Sequence, residues 1–118
     1  MGRVDTGGVP TTSVSDLPAD GITLIDVREH DEWAAGHAPG AVHIPLGELP
    51  ARVEELAQLP DDKPLYVVCR SGGRSARAAM WLNASGWEAV NVAGGMKSWH
   101  TEGRPVVGDN PGAEPEIL

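Results

Sequence analysis

One short segment of the chain places its single cysteine beside two arginines and two glycines. Cys69 follows the apolar run Leu65–Val68, and the next six residues are Arg70-Ser71-Gly72-Gly73-Arg74-Ser75. The apolar run predicts a buried β-strand, and Arg74–Ala84 predicts a helix. A strand-to-helix turn directs backbone N–H groups and the helix N-terminus toward one small volume, which favours negative charge there. The sequence therefore predicts that Cys69 is an anionic sulfur nucleophile.

The reactivity of Cys69 depends on its ionisation. A free thiol has a pKa of about 8.5, and the thiolate is the reactive form. We expect Arg70, Arg74 and the loop amides to lower the pKa of Cys69 to about 6, which would leave most of the thiol ionised at neutral pH. The other interpretation is that Cys69 is a small buried apolar residue continuing the strand.

Charge is unevenly distributed over the 118 residues, a length that suits one domain. The formal net charge is −8, which argues against a nucleic-acid partner. Between Lys63 and Trp87, however, there are four basic and no acidic residues, so this stretch carries +4. A positive region around the cysteine loop suits a small anionic substrate, whereas the plainer interpretation is a basic helix face beside a loop.

The cysteine count and the hydropathy pattern exclude several classes of protein. One cysteine cannot form an internal disulfide or a CxxC redox pair. No apolar run approaches the ~20 residues of a membrane span, and Met1–Pro10 lacks the apolar core of a signal peptide. We expect a cytoplasmic protein with no membrane partner and no cofactor. His37 and His43 have no cysteine nearby, so we expect no metal site and a hydrogen-bonded structural role for His37.

Strands and helices alternate through the middle of the chain. Residues 1–10 are predicted to be a flexible leader, residues 11–104 a compact domain and residues 105–118 a flexible acidic tail. Predicted strands include Gly21–Val27, Ala41–Ile44, Leu65–Val68 and Ala89–Val92, and a helix is predicted within residues 46–59. This alternation predicts an α/β fold with a mostly parallel sheet covered on both faces. Asp26, Arg28 and Cys69 follow strand ends and are therefore expected on one face.

Several separate motifs closely resemble those of a single-domain rhodanese, in order and with ordinary spacing, over about residues 12–104. They are Leu24-Ile25-Asp26-Val27-Arg28, Glu32-Trp33, Gly36-His37-Ala38-Pro39-Gly40-Ala41, Ile44-Pro45, Cys69-Arg70-Ser71-Gly72-Gly73-Arg74-Ser75, and Gly94-Gly95 with Trp99. The resemblance implies the rhodanese-like three-layer fold, in which helices flank a central, mostly parallel five-stranded sheet. It also implies thiosulfate sulfurtransferase activity.

The same resemblance assigns roles within the loop. Cys69 would take the sulfane sulfur from a small anionic donor such as thiosulfate, hold it as a persulfide, and pass it to cyanide or a thiol acceptor. Arg74 would pair with the donor's sulfonate oxygens, and Arg70 would help to attract the donor. Backbone N–H groups of Ser71, Gly72 and Gly73 would line the pocket. Ser75 would cap the helix or bond the loop.

Two alternatives to this activity stay open. The chain could be a persulfide carrier or regulatory module that accepts sulfur from a sulfur-relay protein and has little activity with free donors. A cysteine phosphatase or arsenate reductase is less favoured, because the related phosphatases carry five residues between the cysteine and the arginine, whereas four lie between Cys69 and Arg74.

Asp26 and Arg28 are candidate supporting residues at the mouth of the site. The favoured interpretation is structural. In it, Asp26 bonds a backbone turn and Arg28 pairs with Glu32.

Overall fold

A central sheet organises the fold in the computed structural model, which describes residues 4–6 and 9–118. Its strands are β1 (Val4–Thr6), β2 (Val9–Ser13), β3 (Thr23–Asp26), β4 (Val42–His43), β5 (Leu65–Val68) and β6 (Ala89–Ala93). They lie in the order β1-β2-β6-β5-β3-β4. The five strands from β2 to β4 in that order are parallel, and β1 pairs antiparallel with β2 at the edge. The predicted five-stranded parallel sheet is confirmed, with one antiparallel edge strand added.

Among the described residues, three helices lie between strands: α1 (His30–Ala35), α2 (Leu49–Arg52) and α3 (Gly73–Ala84). A fourth, α4 (Gly95–Thr101), follows the last strand. The helix predicted within residues 46–59 is instead a succession of short pieces, with 3-10 turns at Leu46–Glu48 and Val53–Gln58 on either side of α2. Pro50 lies in the first turn of α2, where a missing N–H is tolerated. In the part of the chain that the structure describes, no helix has the length and apolar character to cross a membrane.

The core has two layers because side chains of β5 alternate between the faces of the sheet. Leu65 and Val67 pack with residues of α3 on one face. Tyr66 and Val68 pack with Met96 of α4 on the other. Full burial of one such Val or Leu side chain contributes about 1.5–3 kcal/mol. Helices therefore cover both faces, as the alternation of elements predicts, and the loops at the carboxyl ends of the strands are held at one edge.

Two tryptophans that the helical patterns predict to be core residues differ in their burial. Trp99 of α4 is 6% exposed, whereas Trp81 of α3 is 38% exposed. The prediction is correct for Trp99 and wrong for Trp81.

The start of the chain differs from the predicted leader. Val4–Thr6 and Val9–Ser13 are strands, and Val9 is 1% exposed within the core cluster below α3. A β-branched side chain such as that of Val9 is favoured in a strand, because it packs well on the pleated surface of a sheet. Residues 1–3 and 7–8 of the predicted leader lie outside the described residues.

The end of the chain also differs from the predicted flexible tail. Backbone N–H groups of His37 and Val107 each donate to the other residue's carbonyl at 2.8 Å, and Glu116 N–H donates to the Ala35 carbonyl at 2.9 Å. Ile117 packs against the core cluster that contains Trp99. The acidic composition of residues 105–118 suggested solvated chain, but these contacts are made by backbone groups and an apolar side chain. We call residues 109–118 the C-terminal strap.

Candidate active site

Cys69 comes directly after β5 and opens the turn that leads into α3. Its sulfur accepts a hydrogen bond from the Gly72 N–H at 3.1 Å, and the Ser75 hydroxyl lies 3.4 Å away. Gly72 has a φ of 118°, a left-handed conformation that side chains rarely adopt. This glycine therefore permits the turn that directs its N–H toward the sulfur. Although Cys69 is only 2% exposed, its sulfur faces polar donors.

The surroundings of Cys69 act on its ionisation in opposite directions. Burial raises the pKa of the thiol, because it removes water from the thiolate. The Ser75 hydroxyl and the backbone N–H groups of Ser75, Gly72 and Ser71 lower the pKa, and together they outweigh burial. The pKa of Cys69 is therefore below its usual value, in the predicted direction. The predicted loop amides contribute to this lowering, and the Ser75 hydroxyl is an additional cause. The charge of Arg74 also acts on Cys69, from within the ion pair with Glu32.

The N-terminus of α4 fixes the backbone of the cysteine loop. Met96 N–H donates to the Cys69 carbonyl at 2.8 Å, and Lys97 N–H donates to the Arg70 carbonyl at 3.0 Å. Gly95 has a φ of 55°, and a Cβ there would overlap both of these carbonyl groups. A glycine pair that follows a strand indicates a turn and helix entry, and Gly94-Gly95 has that role at the start of α4. The pair also allows α4 to approach the loop closely enough to hold it.

Ser75 links the cysteine to a residue that the sequence analysis did not single out. It is fully buried, and its hydroxyl is 2.6 Å from Oδ1 of Asn91 on β6 as well as within reach of the Cys69 sulfur. The prediction that Ser75 bonds the loop rather than reacts fits this geometry. Asn91 could have been found from the sequence, because a polar residue inside an otherwise apolar strand requires a buried hydrogen-bond partner.

Arg74 does not face an open anion site. Its Nη1 and Nη2 donate to the two carboxylate oxygens of Glu32 at 2.7 and 2.9 Å. These bonds lower the pKa of Glu32 to about 2 and raise the pKa of Arg74. The two side chains form a partly buried, two-bond ion pair that joins α1 to α3. The predicted pairing of Arg28 with Glu32 is limited to a hydrogen bond from Arg28 Nη1 to the Glu32 backbone carbonyl at 3.4 Å, and the Glu32 carboxylate binds Arg74 instead.

Asp26 and Arg28 form a buried pair beside the loop. Both are 0% exposed, and Arg28 Nη2 donates to Asp26 Oδ2 at 2.8 Å. Asp26 Oδ1 also accepts the Arg28 N–H at 3.0 Å, which is the expected backbone turn. Arg28 Nη2 donates to the Gly36 carbonyl at 2.7 Å and so fixes the end of α1. These contacts favour the structural interpretation of both residues.

Arg70 is the exposed cation of the loop, but the C-terminal strap reaches it. Its Nε donates to the backbone oxygen of Leu118 at 2.6 Å. Lys63, which contributes to the predicted positive stretch, instead donates to the Gly21 carbonyl at the opposite end of the parallel strands. With Arg74 neutralised by Glu32, the predicted positive region around Cys69 is reduced mainly to Arg70 and the loop amides.

Histidines near α1 have structural partners. His37 is buried and donates from Nδ1 to the Trp33 carbonyl at 2.7 Å, as expected for a hydrogen-bonded turn. His37 and His43 both stack on the Trp33 ring, at centroid distances of 3.6 and 4.6 Å, with interplanar angles of 4° and 7°. Within residues 4–6 and 9–118, no group of three or more His, Cys, Asp or Glu side chains is arranged to hold a metal.

A parallel sheet with a cysteine in an amide-lined loop at its carboxyl edge defines the class of protein. The chain belongs to the rhodanese-like domain family, whose model matches residues 11–102. It is 45% identical to "Putative sulfurtransferase YtwF" of Bacillus subtilis over 70% of this chain and 77% of that protein. It is 41% identical to "Putative sulfur carrier protein YrkF" of the same organism, over 68% of this chain and 42% of that protein. A rhodanese-related protein from Thermoplasma volcanium superposes with a TM-score of 0.74 at 36% identity, covering 82% of this chain and 96% of that structure.

Proposed function

We propose that this chain is a sulfurtransferase that moves a sulfane sulfur from thiosulfate or a related anionic donor through a persulfide on Cys69. The observation that carries the proposal is the sulfur of Cys69, 3.1 Å from the Gly72 N–H in a loop that lowers its pKa. A thiolate prepared in this way is a nucleophile, and the same amides can stabilise a second anionic sulfur. Similarity to a protein named for sulfur transfer supports the proposal.

Transfer takes place in two balanced steps. The Cys69 thiolate attacks the outer sulfur of thiosulfate, an S–S bond forms, the donor's S–S bond breaks, and sulfite leaves with the electron pair. The enzyme then holds the persulfide anion. Cyanide attacks the outer sulfur, thiocyanate leaves, and the Cys69 thiolate is regenerated. A thiolate acceptor can take the place of cyanide, and the expected rate law is ping-pong.

Donor binding is assigned to Arg70 and to the loop amides, with Arg74 in a secondary role. A guanidinium has five N–H donors, and Glu32 occupies two of those on Arg74. The remaining donors could meet a sulfonate, but the adjacent carboxylate repels an anion. Arg70 has no Asp or Glu partner among the described residues, and its Nε donates to the backbone oxygen of Leu118. We therefore place the main attraction for the donor at Arg70.

A persulfide carrier or regulatory module is the second candidate. The 2% exposure of Cys69 and the contact between Arg70 and Leu118 favour it, because both restrict access of a free donor to the sulfur. A relative named for sulfur carriage supports it as well. In this case a sulfur-relay protein would deliver the sulfur and displace the strap.

Steady-state formation of thiocyanate, measured with thiosulfate, mercaptopyruvate and glutathione persulfide in parallel, tests the proposal. Turnover with at least one donor is expected, and Cys69→Ser should abolish it. A sulfur adduct on Cys69 without turnover would select the carrier. Neither turnover nor adduct with any of these donors would contradict the proposed sulfurtransferase. Hydrolysis of an aryl phosphate by the wild-type chain would instead indicate a phosphatase.

A further inference from the structure

The hydroxyl of Ser75 has one proton and two acceptors within reach. Oδ1 of Asn91 lies 2.6 Å from Ser75 Oγ, and Sγ of Cys69 lies 3.4 Å from it. A hydroxyl can donate to only one of them at a time. The position of this proton decides whether Ser75 presents a donor or a lone pair to the sulfur.

The geometry places the proton on the side of Asn91. A separation of 2.6 Å is short for a hydroxyl-to-oxygen hydrogen bond, whereas sulfur is a weak acceptor at a longer distance. Ser75 is 0% and Asn91 6% exposed, so water competes little for the hydroxyl. In this arrangement a lone pair of Ser75 faces the sulfur, which suits the neutral thiol.

Oδ1 of Asn91 loses its donor when Ser75 turns its proton to an ionised sulfur. Asn91 lines a cavity of about 280 Å³ together with Thr11, Ser71 and Gly72. A thiolate attracts the Ser75 hydroxyl proton, and the hydrogen bond to Oδ1 must then be given up. The hydrogen bond between Ser75 and Asn91 therefore favours the neutral thiol over the thiolate.

We propose that Asn91 is a positioning residue that competes with Cys69 for the Ser75 hydroxyl proton and thereby limits how strongly the loop stabilises charge on the sulfur. The role of Asn91 in activity rests on the proposed sulfur transfer by Cys69. Its effect on the ionisation of the reduced thiol does not depend on that transfer. It adds a residue from β6 to a site otherwise formed by the cysteine loop.

A limit on the stabilisation of the Cys69 thiolate would preserve its nucleophilicity. The intrinsic nucleophilicity of a thiolate falls as its pKa falls, and an attacking thiol works best with a pKa near the ambient pH. A loop that stabilised the Cys69 thiolate without competition would keep it ionised but less reactive. Asn91 would hold the pKa of Cys69 nearer the value at which the thiol attacks best.

The test is the pH dependence of Cys69 alkylation by iodoacetamide, which requires no sulfur donor. Because Cys69 is the sole cysteine, every alkylated chain reports it. Asn91→Ala should lower the apparent pKa by about half to one unit, the worth of one hydrogen bond. The rate at high pH should fall about two- to threefold, because the thiolate is less basic. Ser75→Ala should raise the apparent pKa.

The double variant separates positioning from a general structural effect. Asn91→Ala in a Ser75→Ala background should leave the apparent pKa at the value of Ser75→Ala alone. Asn83→Ala is the matched control, because Asn83 bonds the backbone of Ala89 at the far end of α3 from Cys69. It should leave the alkylation profile unchanged. Arg74, whose charge acts on Cys69, and its partner Glu32 are unchanged in all of these variants.

A second substitution keeps the test usable if Asn91→Ala does not fold. Asn91→Leu removes the acceptor but keeps more side-chain volume than Asn91→Ala; it should also lower the apparent pKa, and that lowering should disappear in the Ser75→Ala background. The proposal is contradicted if Asn91→Ala leaves the profile as in the wild type, or if its shift persists without Ser75. Sulfur loading of wild-type Cys69 is measured separately. Its absence would contradict the proposed function, whereas the alkylation profiles test only the role of Asn91.

Discussion

Arg74 of α3 donates one hydrogen bond to each carboxylate oxygen of Glu32 on α1, at 2.7 and 2.9 Å. The arginine that the loop motif assigns to the donor's sulfonate is thus already engaged by an internal carboxylate. The capping box at Glu29 and Glu32 fixes the start of α1, and Arg28 holds its end. The position of Glu32 is therefore set by α1, and through it the orientation of Arg74.

Glu32→Gln should strengthen donor binding. Loss of the carboxylate removes a competitor for Arg74 and a repulsive charge near the incoming anion. We expect the KM for thiosulfate to fall about fivefold, which corresponds to about 1 kcal/mol for a partly exposed ion pair. Steady-state kinetics measure this. Glu55→Gln, which breaks the exposed pair with Arg52, is the control and should leave the KM unchanged.

The same substitution should change how stability depends on pH. The pKa of Glu32 is about 2, below its ordinary value of 4.5. Its contribution is therefore fully present above pH 4.5 and is lost as pH falls from there toward 2. Glu32→Gln should be less stable than the wild type to urea at pH 7, and the two should converge at low pH. A constant difference between pH 7 and pH 2 would contradict the assignment.

Alkylation of wild-type Cys69 should show an apparent pKa below the value of about 8.5 for a free thiol. The cause is hydrogen bonding by Ser75 and the loop amides, which exceeds the opposing effect of burial. The thiolate fraction, and with it sulfur loading, should decline as pH falls through this lowered pKa. Iodoacetamide alkylation against pH provides the measurement. An apparent pKa above 8.5 would show that burial dominates.

Asp26→Ala should destabilise the fold by about 3–5 kcal/mol, because it leaves the guanidinium of Arg28 buried without its carboxylate. Both side chains are 0% exposed. The free energy of unfolding from urea titration measures the loss. Glu48→Ala, at an exposed ion pair with Arg52, should cost at most about 1 kcal/mol. Equal losses in the two variants would mean that the buried pair has no special structural role.

Removal of residues 109–118 should increase activity with free anionic donors. Without the C-terminal strap, Arg70 loses its contact with Leu118 and can attract the donor. We expect kcat/KM for thiosulfate to rise about threefold to tenfold, which is in the range of the net contribution of one ordinary hydrogen bond. Arg70→Gln should remove most of this gain, and activity unchanged by the deletion would contradict the role of the strap.

A substitution in the chain that retains residues 109–118 also tests the role of the C-terminal strap. A Cβ at Gly36 would overlap the backbone of Glu116, so Gly36→Ala should displace the strap and reproduce the effect of the deletion.

The sequence was sufficient to predict the parallel sheet and the position of Cys69 at the end of a strand. Leu65–Val68 is short, β-branched and apolar, and the glycines after Cys69 require a tight turn. These are local signals, and parallel topology then follows from alternating strands and helices. Helix α3 begins at Gly73, one residue before the predicted start.

Other features depended on contacts between segments far apart in the chain. Glu32 has Arg28 nearby in sequence, yet the fold places its carboxylate against Arg74, and a local pattern could not choose between them. The strap pairs through backbone groups, which composition does not reveal. Asn91 gave a local signal, a polar residue in an apolar strand, but its partner Ser75 became evident only from the packing of α3 on β6.

The central claim, that Cys69 carries the transferred sulfur, is tested most directly by intact mass after exposure to thiosulfate without an acceptor. We predict that the chain gains one sulfur atom on Cys69 and releases one equivalent of sulfite, and that cyanide then removes the added sulfur. Cys69→Ser should gain nothing. Formation of thiocyanate at the wild-type rate by Cys69→Ser would contradict the account.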